Sequence, residues 1–254
     1  MYYQNLLRLA ETIQTEMAIC TVVSTKGSTP TKSGAKMIVT QNSEVYGTVG
    51  GGAFEKMVIE EALTVLENGT AQLFKHELLQ QHEMCCGGTM EVFIERIEKK
   101  PKLYLFGAGH TGQALAGFAS ALEFDVTVID DRKEYAEQCK NTGVGILLCS
   151  VEEALTSLPF DEKTYIVIMT YKHDLDRAAL AGCLQKPHRY IGMIKSRRKI
   201  LVTKKKFKDI GIAPLEKLDK VDMPIGIQIG AQGPAEIAIS ILARLIAVKN
   251  NVIL

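Results

Sequence analysis

Two cysteines stand side by side in the stretch EMCCGG, Cys85 and Cys86, followed at once by Gly87 and Gly88. Adjacent thiols are too close for an unstrained disulfide. No second pair at zinc-ligand spacing accompanies them. The glycines let the backbone curl so that N–H groups point at one sulfur, which favours thiolate. Cys86, directly before the glycines, is the better placed as a reactive thiolate or a soft metal ligand, and Cys85 is its neighbour in that chemistry. The plainer reading of the pair is two small residues at a crowded strand start.

Three further motifs carry chemistry. YGTVGGGAFEK sets Gly50, Gly51 and Gly52 between a strand and a helix, where backbone donors can face an anion. It lacks the Lys-Ser/Thr of a Walker loop. The preceding loop, STKGSTPTKSGAK, offers Ser28, Thr29, Lys32 and Lys36 as a polar, mildly basic rim. Downstream, LYLFGAGHTGQALA places Gly107, Gly109 and Gly112 in the Gly-x-Gly-x-x-Gly order of a dinucleotide-binding turn. His110 lies inside that turn. Asp130 ends the next strand, followed by Asp131 and Arg132, and a carboxylate there can accept ribose hydroxyls, which favours NAD over NADP. The alternative for both turns is close packing alone, since fold does not fix function.

Later in the chain, VIMTYKHDLD brings Thr170, His173 and Asp176 to the end of a buried strand. His173 is a candidate proton carrier or a helix cap. YIGMIKSRRKI repeats the geometry, with Ser196 as N-cap and Arg197 and Arg198 in the first turn. Arginines at a helix N-terminus suggest an anion, because the helix dipole opposes them.

These residues need elements to hold them. MAICTVVST, AKMIVT, EVYGTV, LFKHELL and TMEVFIERI read as strands, and AFEKMVIEEALTVLENG as a helix stopped by Gly69. Charges gather from Glu95 to Lys102, and Pro101 interrupts the pattern. That seam divides a first domain at 1–98 from a second at 101–254. In the second, strands and helices alternate, from KLYLFG and GQALAGFASAL to YIGMI and a terminal helix from Pro234. The expected fold class is α/β: a C-terminal Rossmann-like, doubly wound parallel sheet preceded by a smaller mixed α/β N-terminal domain. The terminal helix is apolar around much of its surface, which places it in the core or in an intersubunit contact and allows a homodimer.

Composition limits the function classes. Thirty basic and twenty-nine acidic residues leave a formal charge of +1, so no overall field favours nucleic acid or a membrane surface. Six scattered cysteines form no disulfide framework and suit a reduced, cytoplasmic setting. The N-terminal MYYQNLLRLAETIQTEM reads as an amphipathic helix, not as a signal peptide. No stretch reads as a membrane span.

In combination, GSTPTKSGAKMIV, GTVGGGAFE, CCGG, FGAGHTGQALA, VIDDR, YIGMIKSRRK and PIGIQIGAQGPAEIAISILA resemble the XdhC/CoxI family of xanthine dehydrogenase accessory proteins nearly end to end. The chain departs from that family's pattern at Tyr171, Lys195, Gly233 and Arg244. The resemblance implies a chaperone that binds the molybdenum cofactor in its molybdopterin form. It would assist sulfuration by a cysteine desulfurase and insertion into a xanthine dehydrogenase-type hydroxylase. Cys86 would then contact the molybdenum or its sulfur. Two other functions fit the residues: an NAD-dependent oxidoreductase using His173 or His110, with NAD or another nucleotide in the Rossmann domain, and a non-catalytic docking protein bridging desulfurase and hydroxylase.

Overall fold

The computed structural model describes residues 3–13, 15–79, 87–140, 143–195 and 200–253. Backbone contacts divide the chain into two compact units, Met1–Lys99 and Lys100–Leu254.

The first unit is built on a five-stranded antiparallel sheet in the order β3-β2-β1-β5-β4. Its strands are β1 (Met17–Lys26), β2 (Lys36–Thr40), β3 (Val45–Gly47), β4 (Gln72–Glu77) and β5 (Thr89–Ile97). Alternation along β1 sends Ala18, Cys20 and Val22 to one face, where Phe54, Val58, Ala62 and Val65 of α2 (Gly52–Asn68) cover them. Met17, Ile19 and Ile38 face the other side and pack with Leu6 of α1 (Tyr3–Thr12). Gly69 ends α2 in the left-handed conformation and donates its N–H to the Val65 carbonyl.

The second unit contains a five-stranded sheet, β10-β9-β6-β7-β8, parallel at every pairing. Its strands are β6 (Lys102–Phe106), β7 (Asp125–Asp130), β8 (Gly145–Leu148), β9 (Tyr165–Ile168) and β10 (Tyr190–Met193). The chain winds outward from β6 to β8, then returns to β9 on the other side, so order reverses between β6 and β9. Leu103 and Leu105 point to the layer formed by α3 (His110–Ser120) and α9 (Gly233–Lys249). Tyr104 and Phe106 point to the opposite layer, with α5 (Val151–Ser157), α6 (His173–Cys183), α7 (Ile200–Asp209) and α8 (Leu215–Asp219). A short α4 (Lys133–Glu137) precedes β8. The sheet is therefore doubly wound, as the alternation of elements implied.

Two differences from the sequence-based expectation have clear causes. Strand β8 is absent from that expectation because it is four residues long, half-exposed and at the sheet edge, so it lacks a buried run. Helix α9 buries one face, Ala238, Ile241, Leu242 and Leu245, while Ile239 stays 49% exposed. No described helix is long and apolar enough to cross a membrane.

Candidate functional site

The upstream motifs converge within the first unit. The turn that follows β1 carries Ser28, which is exposed, and Pro30. A Cβ added at Gly88 would lie 2.4 Å from the Ser28 carbonyl oxygen, 2.7 Å from that of Lys26 and 2.8 Å from Thr29 Cγ2. Only glycine allows that approach. On the other side of the turn, a Cβ at Gly50 would meet Pro30 Cγ at 2.7 Å. Gly88, the Ser28 turn and the GGG turn are thus neighbours. Cys85 and Cys86 themselves lie outside the described residues.

The GGG turn already holds an anion of its own. Gly50, Gly51 and Gly52 all have positive φ, the conformation that curls successive N–H groups inward. Glu55, in the first turn of α2, places Oε2 where the Val49 and Gly51 N–H groups both donate at 3.1 Å, joined by the Thr48 hydroxyl. Gly50 N–H donates to Thr48 Oγ1 at 3.1 Å. Partial burial would raise the Glu55 pKa, but these hydrogen bonds outweigh it and hold the carboxyl below its usual range. Of the glycine donors expected to face an external anion, that of Gly51 is thus engaged by Glu55 and that of Gly50 by Thr48; Glu55 is absent from the sequence-based candidates. An acidic residue in the first turn after a glycine turn was the available signal.

In the second unit the fingerprint glycines separate by role. Gly107 has φ +121°, and a Cβ there would sit 2.4 Å from the Met169 carbonyl oxygen, so the turn lies flat on the end of β9. A Cβ on Gly112 would lie 2.1 Å from the Gly107 oxygen. Both are required by protein packing. Gly109, the residue before α3, would meet nothing within 4 Å. It opens onto empty space beside the unpaired amides of the helix start. His110 is exposed at that start.

Asp130 is 5% exposed and fully engaged. Its Oδ2 accepts the Ala108 N–H at 2.7 Å and Arg132 Nη2 at 2.8 Å, and its Oδ1 accepts Arg132 Nε at 2.9 Å and the Arg132 N–H at 3.0 Å. Burial pushes its pKa up, and the Arg132 and backbone donors more than reverse this, holding it below the ordinary carboxylate range. The carboxylate expected to receive a ribose instead ties the glycine turn to Arg132. The guanidinium is stacked between Tyr135 and Tyr171, 4.0 and 3.9 Å from their ring centroids. Asp131 is exposed and accepts the Tyr171 hydroxyl at 3.1 Å.

Beside this arrangement lies a small, shallow slot at the carboxyl ends of β6, β7 and β9. Phe106, Gly107, Ile129, Val151, Tyr171 and Leu175 line it, with Asp131, Cys149, Ser150 and Thr170. Burial, then the Glu153 carboxylate, push the Cys149 thiol up, so it lines the slot in neutral form. Ser150 and Glu153 close a capping box at the start of α5.

His173 is placed otherwise. Its side chain is 81% exposed, and Nδ1 lies 2.9 Å from Lys195 Nζ. The lysine also reaches Asp176 Oδ2 at 3.1 Å, while Asp176 Oδ1 accepts the Thr170 N–H at 3.1 Å. An imidazole nitrogen that accepts from an ammonium is occupied on that side. Ser196 and Arg197 fall outside the described residues. Among the described residues no group of His, Cys, Asp and Glu is arranged to hold a metal ion.

Comparison with known proteins gives a consistent picture. Residues 103–245 match the profile described as the XdhC Rossmann domain, and residues 13–77 match that of the XdhC and CoxI family. The chain is 35% identical over 240 residues to the uncharacterized protein YqeB of Escherichia coli strain K12, a match covering 92% of this chain and 44% of that protein. It is 32% identical over 167 residues to a Bacillus subtilis strain 168 protein named as a probable xanthine dehydrogenase subunit, covering 65% of this chain and 48% of the relative. These matches span under half the length of either relative. A crystal structure of a xanthine dehydrogenase from Bacillus halodurans superimposes with a TM-score of 0.53 at 21% identity, covering 99% of this chain and 96% of that one, a likeness of fold.

Proposed function

The chain belongs to the XdhC and CoxI family, and from that premise we propose that it is an accessory protein of a xanthine dehydrogenase-type molybdenum hydroxylase. Its cargo is the molybdenum cofactor, which it holds while a cysteine desulfurase supplies sulfide, and then delivers. The similarity to a relative named as part of a xanthine dehydrogenase supports the client class.

The observation that carries this reading is the seat of Gly88 on the Lys26–Thr29 turn. Gly87 and Gly88 follow Cys86 directly in the chain. A thiol suits the handling of molybdenum and sulfide, which are soft partners for sulfur. Cys86 is assigned the contact with the cargo, and Cys85 is the adjacent thiol. A phosphate of the cargo would have to displace Glu55 to use the Gly50–Gly52 donors. The oxidoreductase alternative is less well supported: His110 and His173 are exposed, and His173 is held by Lys195.

The test is the pterin content of protein purified from cofactor-replete cells, read by fluorescence after oxidation. Wild-type protein should carry pterin, and Cys86→Ala should lose most of it while Cys85→Ala keeps more. Equal pterin in wild type and Cys86→Ala would remove the thiol from the reading. A wild-type protein free of pterin would remove the cargo.

A further inference from the structure

Helix α7 turns large apolar side chains and unpaired charge outward together. Its inner face belongs to the core: Phe207 is buried there with Ile200 packed alongside, and Lys204 donates to Asp219 at 2.9 Å. Outward it shows Leu201 and Val202, 82% and 69% exposed, and the exposed Lys205, Lys206 and Lys208. These side chains form two ridges. Leu201, Lys205 and Lys208 follow one another at helical spacing, and Val202, Lys206 and Ile210 stand at every fourth position. The Ile210 N–H donates to the Lys206 carbonyl at 3.0 Å, which carries the second ridge past the end of α7, and Ile210 is 51% exposed. The charge is also concentrated here. Residues 195–220 hold ten of the chain's thirty basic residues and three of its twenty-nine acidic ones. Among the described residues, Lys204 alone of the α7 lysines has an ion pair. Lys205 and Lys208, three apart on one ridge, repel each other, and carboxylates from another molecule would relieve that.

We propose that the outer face of α7 docks an acidic amphipathic helix of a partner protein, with Leu201 and Val202 as apolar anchors and Lys205, Lys206 and Lys208 as charge contacts. The two straight ridges are the surface across which a second helix packs. Such a helix, with apolar side chains one turn from a row of carboxylates, covers Leu201 and Val202 and neutralises the lysines in the same contact. A nucleic acid would pair its phosphates with the lysines but set charge against the leucine and valine. A bilayer takes up helices whose apolar and basic side chains lie on opposite faces. In α7 both kinds share the outward face, while the opposite face is packed in the core. The proposal uses no part of the cargo reading, which pterin content tests by itself.

The experiment is fluorescence anisotropy of the full chain with a labelled synthetic helix of about five turns, bearing a leucine ridge beside a glutamate ridge. Control probes are the same helix with lysine for glutamate, a short DNA duplex and vesicles of phosphatidylserine. The acidic helix should bind below about 100 μM at low salt and severalfold more weakly at high salt. The double substitution Lys205→Glu with Lys206→Glu should weaken it about tenfold or more, because like charges then face each other. Leu201→Ser should weaken it about fivefold and leave the salt dependence unchanged, since that side chain contributes apolar area alone. Both variant proteins should keep the wild-type circular dichroism spectrum and melting temperature, because the altered side chains are exposed. No binding of the acidic helix by wild type would overturn the proposal. So would equal binding by the lysine double variant, or tighter binding of any control probe than of the acidic helix.

Discussion

The Gly107–Gly112 turn and the Gly50–Gly52 turn share a plan, a strand entering glycines that open a helix, yet they treat their backbone donors in opposite ways. In the first, the nearest carboxylate arrives from the next strand and takes only the Ala108 N–H, leaving Gly109 beside open space. In the second, Glu55 folds back from its own helix and takes the N–H groups of Val49 and Gly51. A glycine-rich turn therefore reports a backbone path. Whether its donors remain available depends on which side chains the neighbouring turn supplies.

The largest effect that would test this contrast lies in the Rossmann turn. Gly107→Ala places a Cβ against the Met169 carbonyl at a backbone angle of +121°, and the Rossmann unit should lose about 3 kcal/mol or more. Gly109→Ala, with nothing within 4 Å, should change stability by about 0.5 kcal/mol or less. Separate urea melts of the two variants check the difference. Equal losses would mean that the two glycines do not have separate roles.

Asp130→Asn comes next, at about 2–3 kcal/mol, because Arg132 and the Ala108 N–H lose a charged acceptor. Since the folded carboxyl titrates below its ordinary value of 3.8, its stabilisation is complete above that value and is lost as pH falls through the folded one. Wild-type urea midpoints should thus drop on acidification through that window more steeply than those of Asp130→Asn. A parallel pair of pH curves would show that the carboxylate is not the anchor described.

A loss smaller than that of Asp130→Asn belongs to the upstream turn. Glu55→Ala should cost about 1–2 kcal/mol, as expected for losing a partly exposed cap. It should also free the turn's donors, so that inorganic phosphate raises its melting temperature more than that of wild type. If phosphate stabilises both proteins equally, Glu55 does not guard the turn.

Much of the fold could be read in the chain. LYLF, VTVID and YIVIM are compact apolar runs separated by glycine turns and helical stretches, and that rhythm is the signature of a doubly wound sheet. Strand β8 escaped because Gly145–Leu148 is short and half-exposed. Among site residues, Gly107 and Gly112 sit at close backbone approaches, while Asp130 and the amides of Gly50 and Gly51 are engaged within the protein. Tyr171 and Lys195 acquired their partners only in the fold, since hydrogen bonds to residues 40 and 22 positions away have no trace in local pattern.

By itself, the sequence determined most of the backbone plan: which segments are strands or helices, where the turns need glycine and which face of a strand is apolar, because periodicity and φ preference are local properties. Only the tertiary structure decided the state of the polar groups. Whether Asp130 meets a ligand or an arginine, and whether a turn's amides face solvent or Glu55, depends on side chains converging within about 3 Å in space. Desolvation and hydrogen bonding at that range set the charge of each group and its availability to a ligand.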